Sequence, residues 1–493
     1  MGEEITDSRF EAGDFERYRE CLAQETARLR GWFESGRLRE QGAVGGFELE
    51  AWLVDVLGRP APCNDTFLAR LSGQAGDAAP CPPASPLGSP LVSPELAKFN
   101  VELNSTPQPL ERGALSAMHA ELAETWAHCG AVAADLHAGL LMIGILPTVS
   151  DADLTLANMS GLQRYRALNE QVLRLRQGRP IVLDIKGEQH LHVVHDDVML
   201  ESAATSFQIH VQVGQGRAAR FMNAAIVLSA PMVALCANSP YLFGKDLWDE
   251  TRIPLFEQAV PVGGYDGAAF GPIRRVTFGS DYVHKSVLEY FTENLEHYPV
   301  LLPAVLEAPA EELAHLRLHN GTIWRWNRPL IGFEADGTPH LRIEHRVVPA
   351  GPSVLDTMAN AAFFFGLVSA LAQAEPPPES RLEFSTARDN FYTAARLGLR
   401  ANLRWLDGRT VPVQQLLGEH LLPLARSGLE RLDIASADIA LYLGVIAERL
   451  RRGRNGARWQ REFVAAHGRD MPALTAAYRE RQDSGAPVHE WTV

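Results

Sequence analysis

Cysteine is scarce in this chain. Five occur in 493 residues, at Cys21, Cys63, Cys81, Cys129 and Cys236, and no two are spaced as C-x-x-C. That argues against a disulfide framework or a thiolate zinc site and points to a reducing compartment. Nor is there an excess of positive charge. Lys and Arg number 46 against 60 Asp and Glu, a net charge of −14. A general affinity for nucleic acid or for an anionic membrane is therefore not expected. The opening residues, MGEEITDSRFEAGDFERYRE, lack the apolar core of a secretory signal. The longest apolar runs, GLLMIGILPTV (139–149) and AAIVLSAPMVALCA (224–237), both contain Pro and fall short of a bilayer's thickness. A cytoplasmic location is the expectation. There is neither a G-x-x-x-x-G-K-[ST] phosphate loop nor a G-x-S-x-G nucleophile elbow.

What is present is an unusual alternation. In GFELEAWLVD (46–55), Phe47, Leu49, Ala51 and Leu53 take one face of a strand. Glu48 and Glu50 take the other, with the apolar Trp52 and Val54 beyond them, which does not fit a solvated surface. The pattern recurs three times. KFNVELN (98–104) sets Asn100, Glu102 and Asn104 against Phe99, Val101 and Leu103. FQIHVQV (207–213) sets Gln208, His210 and Gln212 against Phe207, Ile209, Val211 and Val213, and LRIEHRV (341–347) sets Arg342, Glu344 and Arg346 against Leu341, Ile343 and His345.

The spacing elsewhere predicts helices over 14–36, 113–138, 160–178 and 353–374. A buried helix bent at Pro231 is expected, with a buried strand in 140–149, a strand pair within 181–213 and further strands in 320–350. Residues 72–94, rich in Pro, Gly and Ser, read as a long surface loop, and EPPPES (375–380) as a boundary. The fold class is α+β, with a catalytic body over 1–374 and a helical C-terminal region over 381–493.

If the four strands share one curved sheet, Glu48, Glu50, Glu102 and Glu344 converge with His210. Two carboxylates about 5 Å apart repel by roughly 3 kcal/mol at an effective dielectric near 20. Several such pairs would rival the stability of a domain, so protons or cations must neutralise them. Hard oxygen ligands with one imidazole suit Mg²⁺ or Mn²⁺ better than Zn²⁺. Arg346 shares the face of Glu344 and can stabilise charge on a transferring phosphoryl group.

In this order, GFELEAWLVD, ELAKFNVELNSTP, TSFQIHVQV, CANSPYLFG and RIEHRVVP resemble the type 2 glutamate–cysteine ligase family of carboxylate–amine ligases. The resemblance spans roughly residues 46–350. It implies a glutamine-synthetase-like fold, a curved antiparallel sheet forming a funnel, and ATP bound with two or three Mg²⁺ or Mn²⁺ ions. It implies metal ligation by Glu48, Glu50, Glu95, Glu102, His210 and Glu344, and phosphate binding by Arg346. It nominates Arg252, downstream of the Ala-Asn-Ser-Pro stretch, and Arg164 for a substrate carboxylate. The implied substrates are glutamate and an amine such as cysteine, joined through an acyl phosphate, which would make the product a precursor in glutathione biosynthesis. A homo-oligomer built through the C-terminal helices is compatible with this.

Other readings stay open at this point. GEQHLHVVHDD (187–197) offers His190, His192, His195, Asp196 and Asp197, which with His210 could build a two-His-one-carboxylate centre for an oxygenase or hydrolase. A non-catalytic homologue that binds nucleotide and regulates a partner is a third class. VGQGRAA (213–219) contains G-x-G-x-x-A but lacks an acid about 20 residues on, and reads as a tight strand-to-helix turn. Cys236 reads as a buried core thiol.

Overall fold

The computed structural model describes residues 4–5, 9–40, 42–73, 91–262 and 274–493. Eight strands form its main sheet: β1 (Val44–Val54), β2 (Val92–Pro94), β3 (Asn100–Asn104), β4 (Gln108–Pro109), β5 (Gly139–Leu141), β6 (Ser206–Val213), β7 (Asn327–Phe333) and β8 (Pro339–Pro349). The order is β7-β8-β6-β1-β3-β2, with β4 and β5 also paired to β1. Every pairing is antiparallel, and the sheet is strongly curled, as the resemblance implies. Pro329 interrupts β7, where its missing N–H is tolerated because β7 is an edge strand.

The apolar faces of β1, β6 and β8 are buried under two helices, Gln215–Cys236 and Val354–Ala372. His345 of β8 stacks on Phe364 at 4.2 Å, and Asn327 of β7 donates to the Ser229 hydroxyl at 2.8 Å. Both helices are longer than the apolar runs that seed them. They reach membrane-spanning length and hydropathy, yet 89% of each apolar window is buried inside the protein. The first continues through Pro231.

Three sequence expectations change. The segment 139–149 is almost wholly buried, but only Gly139–Leu141 is a strand. Beyond it the backbone of Met142 is satisfied by a side chain: its N–H donates to Gln482 Oε1 at 3.1 Å and its carbonyl accepts from Gln482 Nε2 at 2.9 Å. The pair expected in 181–213 is a separate hairpin, Ile181–Lys186 with His190–His195, plus β6 in the main sheet. Of the loop expected over 72–94, residues 74–90 lie outside the described residues, as does Cys81, and Val92–Pro94 is the strand β2.

After residue 381 the chain is mostly helical, with one small hairpin, Asn402–Arg404 and Thr410–Pro412. These helices pack on the two buried ones. Arg449 donates from Nε to Asp356 Oδ1 at 2.9 Å and from Nη1 to Asn360 Oδ1 at 2.7 Å, all of them buried. The helix Leu422–Arg431 crosses Val354–Ala372 through two glycines. A Cβ on Gly428 would lie 1.9 Å from the Gly366 carbonyl oxygen. Gly428→Ala is therefore expected to cost about 1–3 kcal/mol or more by overpacking, read as a lowered urea midpoint.

Candidate active site

Antiparallel register builds the site from the strands upward. Residues directly opposite one another point to the same face. Glu50 of β1 faces Glu102 of β3, Glu48 of β1 faces Gln208 of β6, and His210 of β6 faces Glu344 of β8. Glu95 follows β2 directly, in a turn clamped by buried Asn64. That amide donates to the carbonyls of Ala97 (3.2 Å) and Asn100 (3.1 Å) and to the Ser160 hydroxyl (3.0 Å).

Two clusters result. Glu48, His210 and Glu344 each offer a ligand atom, all within 4.8 Å of one another, and Glu50, Glu95 and Glu102 do the same. The donor chemistry fits divalent cations. Among the described residues His210 Nε2 has no hydrogen-bond partner; it is buried, 3.6 Å from Glu344 Oε1 and 3.9 Å from Glu48 Oε1. Burial pushes His210 down to about 4, so it is a neutral imidazole, the form a metal accepts. In the second cluster burial, reinforced by neighbouring carboxylates, pushes Glu95 and Glu102 up to about 8. Glu50 rises to about 7, held back by Arg346. A divalent cation held among these three carboxylates would favour their ionised form.

Glu344 behaves differently. Although burial alone would raise it, Arg328 and then Arg346 hold its carboxyl well below the usual range. Arg328 of β7, its ladder partner, donates from Nε at 2.5 Å and Nη2 at 3.2 Å. Arg346 Nη1 donates to Glu344 Oε2 at 3.2 Å and also to Gln208 Oε1. The other end of the Gln208 amide donates to Glu50 Oε1 at 2.9 Å, and Glu50 also accepts from the Ser206 N–H (2.6 Å) and hydroxyl (3.0 Å). Gln208 thus links the two clusters.

The cleft above this face is acid-rich at one end, with Glu50, Glu95, Glu102 and Glu201, and guanidinium-rich at the other, with Arg317, Arg328 and Arg342. Its remaining wall is largely apolar, including Leu168, Phe291, Leu302, Trp324 and Ile331. Glu201, Arg328, Arg342 and Arg317 carry no role in the sequence reading. Arg342 had a signal there, since it alternates with Glu344. Arg328 becomes visible only through register, and Glu201, on a short turn (Met199–Ala203) with its carboxyl pushed up to about 8 by burial, has no periodic signature.

Arg164 lines the acid-rich end, on the helix Gln163–Leu175, and donates to the Tyr165 hydroxyl at 2.7 Å. Arg252 is placed differently from the resemblance's nomination. It is not among the cleft-lining residues, and its buried guanidinium is used on Glu250 and on the carbonyls of Arg346 and Val347. The histidine-rich centre is not assembled either. His190 and His192 flank Asp184 on the exposed face of the separate hairpin, His195 bonds Asp151 at 2.6 Å, and Asp197 Oδ1 accepts the Met199 N–H at 3.0 Å. His210 sits on a different sheet from these, and among the described residues no three-ligand group includes Asp196 or its neighbours. The G-x-G-x-x-A stretch is a strand-to-helix turn: Glu40 Oε1 accepts the Gly216 N–H at 2.9 Å, and a Cβ on Gly214 would collide with that carboxylate. Cys236 is buried, its thiol pushed up to about 12 by burial.

The family model for glutamate–cysteine ligase family 2 matches residues 45–480. The chain belongs to this family. Membership makes it an enzyme that forms a carbon–nitrogen bond, a carboxylate–amine ligase. Among solved structures it is similar to a glutamate–cysteine ligase from Francisella tularensis in complex with AMP, at 12% identity over 91% of this chain and 90% of that one, TM-score 0.52. A bifunctional glutathione synthetase from Pasteurella multocida (12% identity, 93% of this chain and 55% of that one, TM-score 0.48) is also similar. So is the Pup ligase PafA in complex with Pup, at 10% identity over 88% and 71%, TM-score 0.40. No curated protein matches. At these identities the structural likeness concerns the family's fold.

Proposed function

We propose that this family member uses ATP to activate the γ-carboxylate of glutamate and joins it to an amine. The observation that carries the reading is the pair of three-ligand clusters on one sheet face, linked by Gln208 and bordered by guanidinium groups. Glu48, His210 and Glu344 would hold one divalent cation and Glu50, Glu95 and Glu102 a second, Mg²⁺ or Mn²⁺ by ligand chemistry. Such ions neutralise phosphate oxygens and orient the transferring group. A glutamate carboxylate oxygen attacks the γ-phosphorus and ADP leaves with its bridging oxygen. The neutral amine nitrogen then attacks the acyl carbon, the C–O bond to phosphate breaks, and the proton lost from nitrogen leaves with the phosphate or to solvent.

The chain's own residues supply positioning and charge. Arg346, fixed at two acceptors, stabilises negative charge on the transferring phosphoryl group. Arg328 and Arg342 extend that field toward the nucleotide, and Arg164 offers a cation to a substrate carboxylate at the acid-rich end. No enzyme nucleophile is required, which agrees with the missing G-x-S-x-G.

The test is ADP release with ATP and Mg²⁺, with and without L-glutamate, against a panel of amino acids and amines that includes cysteine, with products read by mass. A γ-glutamyl product with one acceptor is the expected result. ADP formed with glutamate alone supports the acyl-phosphate step and leaves the acceptor outside the panel. No glutamate-dependent ADP under any condition would overturn glutamate as the donor.

A further inference from the structure

We infer that Arg252 is a positioning residue for Arg346: its buried guanidinium holds the β-bulge at which Arg346 faces the cleft. The β6–β8 ladder pairs Ile209 with His345 and then Phe207 with Val348, so Arg346 and Val347 together oppose the single residue Gln208. An extra residue in one strand interrupts the ladder and re-aims the side chains beside it. It also leaves carbonyl groups that the ladder does not pair, and burial demands that they be paired elsewhere.

Arg252 pairs both. Its Nη1 donates to the Arg346 carbonyl at 3.2 Å and its Nη2 to the Val347 carbonyl at 2.5 Å. A planar fork with two parallel donors matches two consecutive carbonyls, a geometry an ammonium cannot reproduce. The fork is itself anchored. Arg252 Nε donates to Glu250 Oε1 at 3.1 Å, while Glu250 Oε2 accepts the Asn238 N–H at 2.9 Å. The guanidinium also lies 5.3 Å from the Trp326 ring centroid, and the Trp326 carbonyl accepts the Arg346 N–H at 2.9 Å. Arg252, Glu250 and Trp326 therefore clamp the backbone of Arg346 from outside the cleft, while its side chain reaches Gln208 and Glu344 inside. Among the described residues the Arg252 guanidinium bonds Glu250 and the Arg346 and Val347 carbonyls and does not line the cleft, which separates this role from recognition of a substrate carboxylate.

The kinetic arm of the test rests on the ligase reading; the structural arm does not. Arg252→Lys keeps the positive charge beside Glu250 and removes the fork. A crystal structure of the variant is expected to show the Arg346 guanidinium withdrawn from Gln208 and Glu344. Its kcat for glutamate-dependent ADP release is expected to fall about 10–100-fold, as for other supporting residues. The KM for glutamate should stay within about threefold, since no uniform binding is lost. Adding Arg252→Lys to Arg346→Lys should slow the enzyme no further, because both changes remove the same interaction. Glu250→Gln, measured in parallel, keeps the fork and loses only its anchor, so a smaller fall in kcat at steady KM is expected; it carries the test if Arg252→Lys does not fold. A raised KM for glutamate at unchanged kcat would overturn the inference in favour of substrate contact. Arg346 unmoved, with a lowered Tm and normal kcat, would overturn it in favour of mere support of the fold. Wild-type protein that released no ADP would refute the ligase reading, and the position of Arg346 in the variant would still decide this one.

Discussion

Glu344→Gln is expected to lower glutamate-dependent ADP release by about 10³-fold or more, since a lost metal ligand forfeits several kcal/mol of transition-state charge stabilisation. Three interactions meet at this carboxylate. It belongs to the cluster with Glu48 and His210, it takes two hydrogen bonds from Arg328, and it takes a third from Arg346. Gln conserves the shape and an acceptor oxygen but not the charge. Ala is the poorer variant: Glu344 and Arg328 are both buried, and breaking a buried pair by removing one partner costs about 3–5 kcal/mol. A loss of activity in Glu344→Ala would thus mix catalysis with folding. The expected pattern for Glu344→Gln is a near-native circular dichroism spectrum, a Tm lowered less than in Glu344→Ala, and kcat all but abolished. Retained turnover in that variant would undo the metal assignment.

Removing the metal is expected to abolish turnover and to make stability depend on pH in a direction opposite to that of ordinary paired carboxylates. Burial and mutual repulsion raise Glu50 to about 7 and Glu95, Glu102 and Glu201 to about 8. Their unfolded values lie near 4.5. Between about pH 4.5 and about pH 8 these folded carboxyls hold protons that the unfolded chain has released. Below about pH 6.5 the buried, neutral His210, His319, His340 and His345 act in the opposite sense. Stability therefore falls with rising pH mainly between about pH 6.5 and about pH 8. A cation that binds only the folded form stabilises it and competes with those same protons. Chelator-treated protein should melt at a progressively lower temperature from about pH 6.5 to about pH 8, and added Mg²⁺ or Mn²⁺ should raise Tm more at the alkaline end. ADP release should return with either ion. A Tm at the alkaline end that ignores divalent cations would contradict the carboxylate clusters as metal sites.

The alternation of Glu48 and Glu50, of Gln208 and His210, and of Glu344 and Arg346 was legible because strand period fixes which face a side chain takes. That they meet was legible only as a conditional, because register depends on the bulge between His345 and Val348 and on which strands are neighbours. Arg328 escaped for this reason, since its pairing with Glu344 spans a turn and its strand carries a Pro. Glu201 escaped because a single turn has no periodicity. The segment 139–149 was misread in its outer part because Gln482, more than 330 residues away, replaces a strand partner. Arg252 shows the limit of motif transfer: position in a sequence pattern nominates a residue, while the direction of its guanidinium is decided by a bulge that no local pattern encodes.

The cleft divides its labour between two kinds of scaffold. Most of its ionic face, Glu48, Glu50, Glu102, His210 and Glu344, is written on hydrogen-bonded strands, where a shift of one residue would turn those side chains toward the opposite face. Its apolar wall comes largely from helices and connecting chain, including Leu168 and Phe291, and Leu302, with Ile331 from the edge strand β7. The first is brittle under mutation and the second is pliable. On the proposed function, descendants of one ancestor could keep the same phosphate chemistry while trading acceptors, and an engineer seeking a new amide product would randomise the wall and leave the sheet alone.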